Sequence, residues 1–265
     1  VSLPLAITSS LGQSATVFQG NWLTRETTGG YANHTTILYR GTEQFILKEF
    51  VEETSLQREL MALYCLQGHN FNAPKVVATH GRQVVLSFAG QKLTERDKTE
   101  EIYWKLGSLI AKLHRYPPPP ALADLPSQAS RISDRIRAII FSEAEPDVLL
   151  HGDITWGNCL LHSDDHIYLI DFEESGVGHP LTDLAICCVE CCWAPENSEK
   201  FESRWNALID AYERAGGHRI SAYPTSLIDQ ATNAAAEELM NWSVLAGQSL
   251  LTQKYESFLS RRIGS

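Results

Sequence analysis

Three polar residues near the middle of the chain have the types and the spacing that phosphoryl transfer requires. Asp153 is followed five positions later by Asn158, and Asp171 comes after an apolar run. A carboxylate such as Asp153 can orient a hydroxyl group and accept its proton, and the oxygens of Asn158 and Asp171 are hard ligands suited to Mg²⁺. The three residues are therefore candidates for a general base and two metal ligands.

The residues around this set predict how it is brought together. Gly152 and Gly157 lie in the loop that holds Asp153, where tight backbone geometry is expected. The run 166–170 predicts a short buried strand that follows the polar turn 162–165. We expect this strand to deliver Asp171 from its end toward the loop.

The complete pattern is H-G-D-x-x-x-x-N, starting at His151, followed by I-D-F-E, starting at Ile170. Protein kinases use the related pattern H-R-D-x-x-x-x-N and then D-F-G. Here Gly152 replaces the arginine and Glu173 replaces the glycine. In this form the pattern resembles that of the aminoglycoside phosphotransferase and choline kinase-like family of small-molecule kinases.

The resemblance extends from about Gly29 to Ala185 and implies a fold class. That class is α+β and bilobal, of the protein-kinase-like kind. A small N-lobe with an antiparallel sheet, residues 1–89, would bind the nucleotide. A larger, mainly helical C-lobe, residues 90–265, would hold the catalytic residues and the acceptor. The implied cofactors are ATP, with GTP as a possible donor, and Mg²⁺.

In the N-lobe, the segments Tyr31–Arg40 and Phe45–Val51 flank the turn 41–43 and predict a hairpin. Alternation along the second segment places Lys48 on a largely apolar face with Ile46. The resemblance implies that Lys48 binds the α- and β-phosphates and that Ile46 lies against the base. A solvated lysine on an edge strand is the alternative.

A helix is predicted next, with Thr54 and Gln57 as a capping box at its start. The resemblance implies that Glu59 in this helix pairs with Lys48, and Glu52 or Glu53 remains a possible substitute. It also implies a phosphate loop before the hairpin and a purine-binding hinge after it. The full set of implied nucleotide-binding residues is Gly29, Gly30, Asn33, Ile46, Lys48, Glu59, Ser87, Phe88 and Ala89.

The C-lobe shows helical periodicity in five segments. They are 100–114, 131–141, 184–193, 200–215 and 226–251. The segment from Gly178 to Ala185 also matches the family, and the resemblance implies that Asp183, together with His151, supports the catalytic loop. His114, at the end of the first helix, is interpreted as structural.

The charge distribution suggests a cationic small-molecule acceptor. The net charge is −10, and all of this excess lies after residue 90. Carboxylates of Glu173, Glu174, Glu237 and Glu238 are the candidates for binding ammonium groups. Ordinary solubilising charge is an equally good explanation of these residues.

Composition also indicates what the protein does not bind. The acidic balance argues against a nucleic-acid partner, and no apolar run is long enough to span a membrane. Four of the six cysteines, at 187, 188, 191 and 192, lie in one apolar segment. Buried thiols in a reducing, cytoplasmic protein explain them better than a zinc site.

Two other functions are compatible with parts of the sequence. A metallohydrolase could use His151, Asp153, His162, His166 and Asp171, but it would not explain a Lys48–Glu59 pair. A nucleotide-binding pseudokinase is the non-enzymatic alternative. It conflicts with the presence of every catalytic residue type.

Overall fold

The computed structural model describes residues 22–26, 33–140 and 147–262. In these ranges a small antiparallel sheet and a helix that packs on it are followed by a mainly helical region, so the predicted α+β architecture is confirmed. The division of the chain at residue 89 stays a prediction. No helix in the described ranges is both long enough and apolar enough to cross a membrane.

Five antiparallel strands form the N-lobe sheet, in the spatial order β1-β2-β3-β5-β4. Their bounds are β1 Leu23–Glu26, β2 His34–Arg40, β3 Glu43–Glu49, β4 Val76–His80 and β5 Gln83–Ser87. The predicted hairpin is confirmed by the pairing of β2 with β3. Because β3 lies between β2 and β5, Lys48 is on a central strand and the edge-strand alternative is wrong.

The first helix, α1, spans Glu53–Gln67 and packs against the sheet. The predicted capping box is wrong, because the helix begins one residue before Thr54 and its start has no side-chain cap. Ser55, Arg58, Glu59 and Ala62 all lie on the buried stripe of this helix. The stripe therefore includes two charged residues among apolar ones.

Two small antiparallel ladders carry the polar motif. One pairs β7 Val148–Leu150 with β10 Gly176–Gly178. The other joins β6 Gln91–Lys92, β8 Cys159–Leu161 and β9 Ile167–Leu169. Since β7 ends just before His151 and β9 ends just before Ile170, the ladders bring the two halves of the motif to one place.

The described part of the C-lobe contains the α-helices α2 Glu100–Leu113, α3 Gln128–Ile140, α4 Leu181–Cys187, α5 Ser198–Arg214, α6 Thr225–Leu245 and α7 Ser249–Arg262. The segment predicted as one helix over 184–193 continues from α4 into a π-helical turn, Cys188–Cys192. The helical segment predicted over 226–251 is present, but as parts of two helices. It is divided after Leu245, and Gly247 adopts a left-handed φ of 68° there.

The main hydrophobic core lies between α1 and the C-lobe helices. The four cysteines of the segment 187–192 are buried in it, and none of the six cysteines, all of which lie in the described residues, forms a disulfide. The small apolar character of these thiols accounts for their position.

Candidate active site

The loop after β7 is held by one buried carboxylate. Asp183 Oδ2 accepts from the backbone N–H of His151 at 2.8 Å, and its Oδ1 accepts from that of Gly152 at 2.9 Å. His114 Nε2 lies 3.1 Å from Asp183 Oδ2. Burial raises the pKa of Asp183, but the contacts with His114 and His151 outweigh it, so this pKa lies below its ordinary value. Asp183 is therefore a carboxylate that fixes the start of the loop 151–158.

Gly152 lets this loop approach a second backbone segment. Its φ is +85°, and a Cβ atom there would lie 2.1 Å from the carbonyl oxygen of Glu174. A side chain would thus be strained in backbone conformation and would also overlap its neighbour. Close packing against the backbone of Glu174 therefore explains why glycine, and not the arginine of protein kinases, occupies position 152.

Asp153 and Asn158 face each other across the loop. Asn158 Nδ2 donates to Asp153 Oδ2 at 2.7 Å and to the carbonyl of Asp153 at 2.9 Å. Burial, followed by the charges of Asp171 and Glu190, raises the pKa of Asp153 well above its ordinary value, while Asn158 lowers it. A half-buried carboxylate with a raised pKa is suited to accept a proton.

The backbone at Asp171 adopts an uncommon conformation. Its φ is 68° and its ψ is 65°, in the left-handed region that residues other than glycine rarely occupy. The preceding carbonyl, of Ile170, accepts from His151 Nε2 at 2.9 Å, and the N–H of Ile170 donates to the carbonyl of Asn158 at 3.0 Å. These contacts connect the loop of Asp153 to the turn of Asp171.

One buried ammonium group faces three carboxylates on the other side of this turn. Lys48 is 6% exposed, and its Nζ lies 2.6 Å from Glu59 Oε2, in contact with Asp171 Oδ1 and 3.6 Å from Glu173 Oε2. The predicted pairing of Lys48 with Glu59 is therefore present. We name these four residues the Lys48 cluster.

The Lys48 cluster has an excess of negative charge. Burial lowers the pKa of Lys48, but the three carboxylates outweigh it and raise this pKa above its ordinary value. Burial is also the largest cause that raises the pKa of Glu59, to about 7, and that of Glu173. The pKa of a carboxylate rises in this way where neighbouring cations do not fully offset its burial.

The donor atoms in this cluster fit a hard cation. Oxygen atoms of Glu59, Asp171 and Glu173 all lie within 4.8 Å of one another. Oxygen-only donors with excess negative charge are what Mg²⁺ prefers. Among the described residues this is the only group of three or more potential His, Cys, Asp or Glu ligands. His162 and His166 instead contact Asp164 in the turn after β8, which removes the basis for a metallohydrolase site.

The implied nucleotide-binding residues are only partly visible. Gly29 and Gly30 lie outside the described residues. Asn33, just after them, contacts the Glu173 carboxylate through Nδ2 and accepts from the N–H of Val51 at 3.0 Å. Asn33 thus connects the end of the predicted phosphate loop to the turn that follows Asp171.

The implied base-binding residues lie on the central strand β3 and at the end of β5. Ile46 pairs with Leu86 across β3 and β5 and is half-buried. Ser87, at the end of β5, accepts from the N–H of Lys75 at 2.8 Å through its hydroxyl. Phe88 is half-buried and Ala89 is buried. Their contacts with a nucleotide stay predictions.

The four carboxylates suggested for an acceptor fall into two places. Glu173 and Glu174 lie in the turn after Asp171, and Glu174 Oε2 accepts from the N–H of Gln128 at 2.7 Å. Glu237 and Glu238 lie on α6, where both form ion pairs with Arg135 of α3. All four are engaged with other groups of the protein.

Two charged residues near the site were missed by the sequence analysis. Arg58 is buried next to Glu59, at a position where helical periodicity places it on the inner stripe of α1. Glu190 lies inside the apolar segment 184–193, and its carboxylate accepts from Lys254 Nζ at 2.7 Å and Tyr255 at 2.6 Å. A charge inside an otherwise apolar helical face was the signal in both cases.

Comparison with known proteins identifies the class. The model of the family described as "Phosphotransferase enzyme family" matches residues 121–225. This match confirms the resemblance seen in the sequence, and the class of protein is an enzyme, a kinase that transfers phosphoryl groups. No curated protein sequence matches the chain.

Solved structures agree on the fold. Choline kinase from Cryptosporidium parvum is similar with a TM-score of 0.67 at 14% identity, covering 92% of this chain and 90% of that one. Ethanolamine kinase from Plasmodium vivax gives 0.65 at 16%, covering 94% and 83%. Macrolide 2′-phosphotransferase from Brachybacterium faecium gives 0.61 at 17%, covering 93% and 96%. At these identities the likeness establishes the protein-kinase-like fold alone.

Proposed function

We propose that the protein transfers the terminal phosphoryl group of ATP to a hydroxyl group of a small molecule, in a reaction that depends on Mg²⁺. The observation that carries this proposal is the connection of Asp153 to the Lys48 cluster through His151, Asn158 and the turn of Asp171. Phosphoryl transfer needs positioned groups and charge neutralisation more than covalent catalysis, and this arrangement supplies both.

Asp153 is the proposed general base. The acceptor oxygen forms a bond to the terminal phosphorus, the bond from that phosphorus to the bridging oxygen breaks, and ADP leaves. The hydroxyl proton passes to a carboxylate oxygen of Asp153. The raised pKa of this carboxylate favours the transfer, and Asn158 holds it in orientation.

Lys48, Asn158 and Asp171 are proposed to contact the phosphates and the metal. Bound Mg²⁺ supplies charge neutralisation on the phosphates. Asn158 turns its Nδ2 toward Asp153, which leaves Oδ1 as its donor atom for the metal. Lys48 is kept charged by its carboxylates and provides the cation for the phosphates. Gly29 and Gly30 are proposed as the phosphate loop, and residues 87–89 as the hinge that binds the base.

The proposed acceptor is a cationic alcohol, such as an aminoglycoside, choline or ethanolamine. Burial is the largest cause of the raised pKa of Asp153, and the negative charges of Asp171, Glu190 and Glu174 raise it further, so the proposed base lies in a negative field. Such a field attracts ammonium groups and speeds their encounter with the site. The similar structures include a choline kinase and an ethanolamine kinase, which supports the proposal. Neutral sugars and amino-alcohols are the alternatives.

An acceptor screen tests both parts of the proposal. Coupled ADP release is measured with aminoglycosides, choline, ethanolamine, macrolides and simple sugars in separate wells, with ATP and with GTP. For the best acceptor, kcat/KM is then measured across increasing ionic strength, and we expect it to fall. A flat profile, or a best acceptor that is neutral or anionic, would remove the cationic acceptor and leave the kinase intact. Absence of ADP release with every acceptor would favour the pseudokinase.

A further inference from the structure

Arg58 is a buried arginine that connects the N-lobe helix α1 to the turn after Asp171. It is 4% exposed. Its Nε donates to the carbonyl of Glu173, Nη1 donates to that of Pro126 at 2.6 Å, and Nη2 donates to Ser55 Oγ at 3.1 Å. Its Nη2 also lies 3.6 Å from Glu174 Oε1. A buried guanidinium group with so many acceptors is held in one orientation.

Arg58 lies on α1 directly before a member of the Lys48 cluster. The next residue, Glu59, pairs with Lys48. Successive residues of a helix point in directions about 100° apart, so α1 presents one charge to Lys48 and the other to the turn of Asp171. Two neighbouring residues of α1 therefore contact two members of the Lys48 cluster: Glu59 contacts Lys48, and Arg58 contacts the backbone of Glu173.

The backbone of Asp171 needs such support. A left-handed conformation is unfavourable at a residue other than glycine and persists only where surrounding contacts enforce it. One contact precedes Asp171, because His151 binds the carbonyl of Ile170. The other follows it, because Arg58 binds the carbonyl of Glu173.

We propose that Arg58 is a positioning residue that holds the turn 170–174 in the conformation in which Asp171 can bind Mg²⁺. This inference rests on the proposed function, since it assumes that Asp171 is a metal ligand. The contacts of Arg58 are with Ser55, Pro126, Glu173 and Glu174. It acts through the backbone of Glu173 and through Glu174, which also accepts from the first N–H of α3. Supporting residues of this kind typically change metal affinity about 10- to 100-fold when they are replaced.

The test compares Arg58→Met and Arg58→Lys with the wild-type protein. Methionine keeps much of the length without donors, and lysine keeps the charge without the fork that reaches several acceptors. Arg40→Met is the matched control, because Arg40 is a less buried N-lobe arginine whose Nη2 pairs with Glu43 at 2.8 Å. ATP affinity is measured by titration calorimetry with Mg²⁺ and again with EDTA.

In both Arg58 variants we expect the gain in ATP affinity that Mg²⁺ provides to fall about 10- to 100-fold, with ATP affinity in EDTA unchanged. Amide exchange of the segment 170–175 without ligands should become faster in these variants. Neither quantity should change in Arg40→Met.

The outcomes separate the inference from the proposed function. A wild-type protein without Mg²⁺-dependent ATP binding would overturn the proposed function. A normal wild type with an undiminished Mg²⁺ gain in Arg58→Met would overturn the inference, as would an equal loss of affinity with Mg²⁺ and EDTA. If Arg58→Met does not fold, Arg58→Lys decides: a full Mg²⁺ gain in that variant overturns the inference.

Discussion

The Lys48 cluster and a second charged cluster on the C-lobe use the same residue types in opposite ways. The second, which we name the Arg135 cluster, consists of Arg131, Arg135, Glu237 and Glu238 between α3 and α6. It has as many cations as carboxylates and lies at the partly exposed surface. The Lys48 cluster has one cation and three carboxylates and is largely buried. The negative charge of the Lys48 cluster can be balanced by a further cation or by a proton on Glu59, whereas the charges of the Arg135 cluster already balance one another.

The largest effect is expected for Asp153, the proposed base beside the Lys48 cluster. Asp153→Asn should lower kcat by roughly two or more orders of magnitude, because a positioned proton acceptor is lost. The fold and the affinity for ATP should remain, since asparagine preserves the shape of the side chain. Steady-state kinetics and calorimetry together check this. Turnover near that of the wild type would contradict the role of Asp153.

Removing a carboxylate from the unbalanced cluster is the next test. Asp171→Ala should abolish most of the Mg²⁺-dependent part of ATP binding, because a hard oxygen ligand is lost. Titration calorimetry with and without Mg²⁺ measures this part. Identical Mg²⁺·ATP affinity in the variant and the wild type would show that Asp171 is not a ligand.

The pKa of Asp183, a buried carboxylate with several hydrogen-bond donors, shifts in the opposite direction from the pKa values of Glu59 and Glu173. Asp183 has a lowered pKa in the folded protein. Its contribution to stability is thus present above the unfolded pKa of about 3.9 and is lost as the pH falls through the folded value. Asp183→Asn should reduce the free energy of unfolding by about 2 kcal/mol near neutral pH.

Urea denaturation at several pH values measures this difference. The difference in the free energy of unfolding between the wild type and Asp183→Asn should become smaller as the pH falls below about 4. A constant difference at all pH values would show that the loss comes from packing and not from the charge of Asp183.

The smallest effect is expected in the balanced cluster. Arg135→Met should change the free energy of unfolding by less than about 1 kcal/mol, because partly exposed ion pairs contribute little. Its kcat/KM for the best acceptor should equal that of the wild type. A clear change in KM for the acceptor would show that Glu237 and Glu238 serve the acceptor site after all.

Much of the fold was predictable because it follows local patterns. The β2–β3 hairpin and α2 agree with alternation and helical periodicity in the sequence. The break after Leu245 was not predictable in the same way, since one glycine inside a helical pattern is often tolerated. The missing cap at α1 reflects a helix that is fixed by packing on the sheet and not by its first turn.

Part of the candidate site was likewise predictable from the sequence. The sequence by itself determined the types and spacing of Asp153, Asn158 and Asp171, and the resemblance to a known motif supplied the pairing of Lys48 with Glu59. Their functional roles stay predictions.

Only the tertiary structure decided which carboxylates share a cation. In the sequence, Glu173 and Glu237 look alike, because each is the first of two consecutive glutamates. The structure places Glu173 beside Lys48 and Glu237 beside Arg135. It also placed Arg58 against the turn of Asp171, more than a hundred residues away along the chain. Local propensities cannot specify such contacts, because burial and the balance of charge arise only when distant segments pack together.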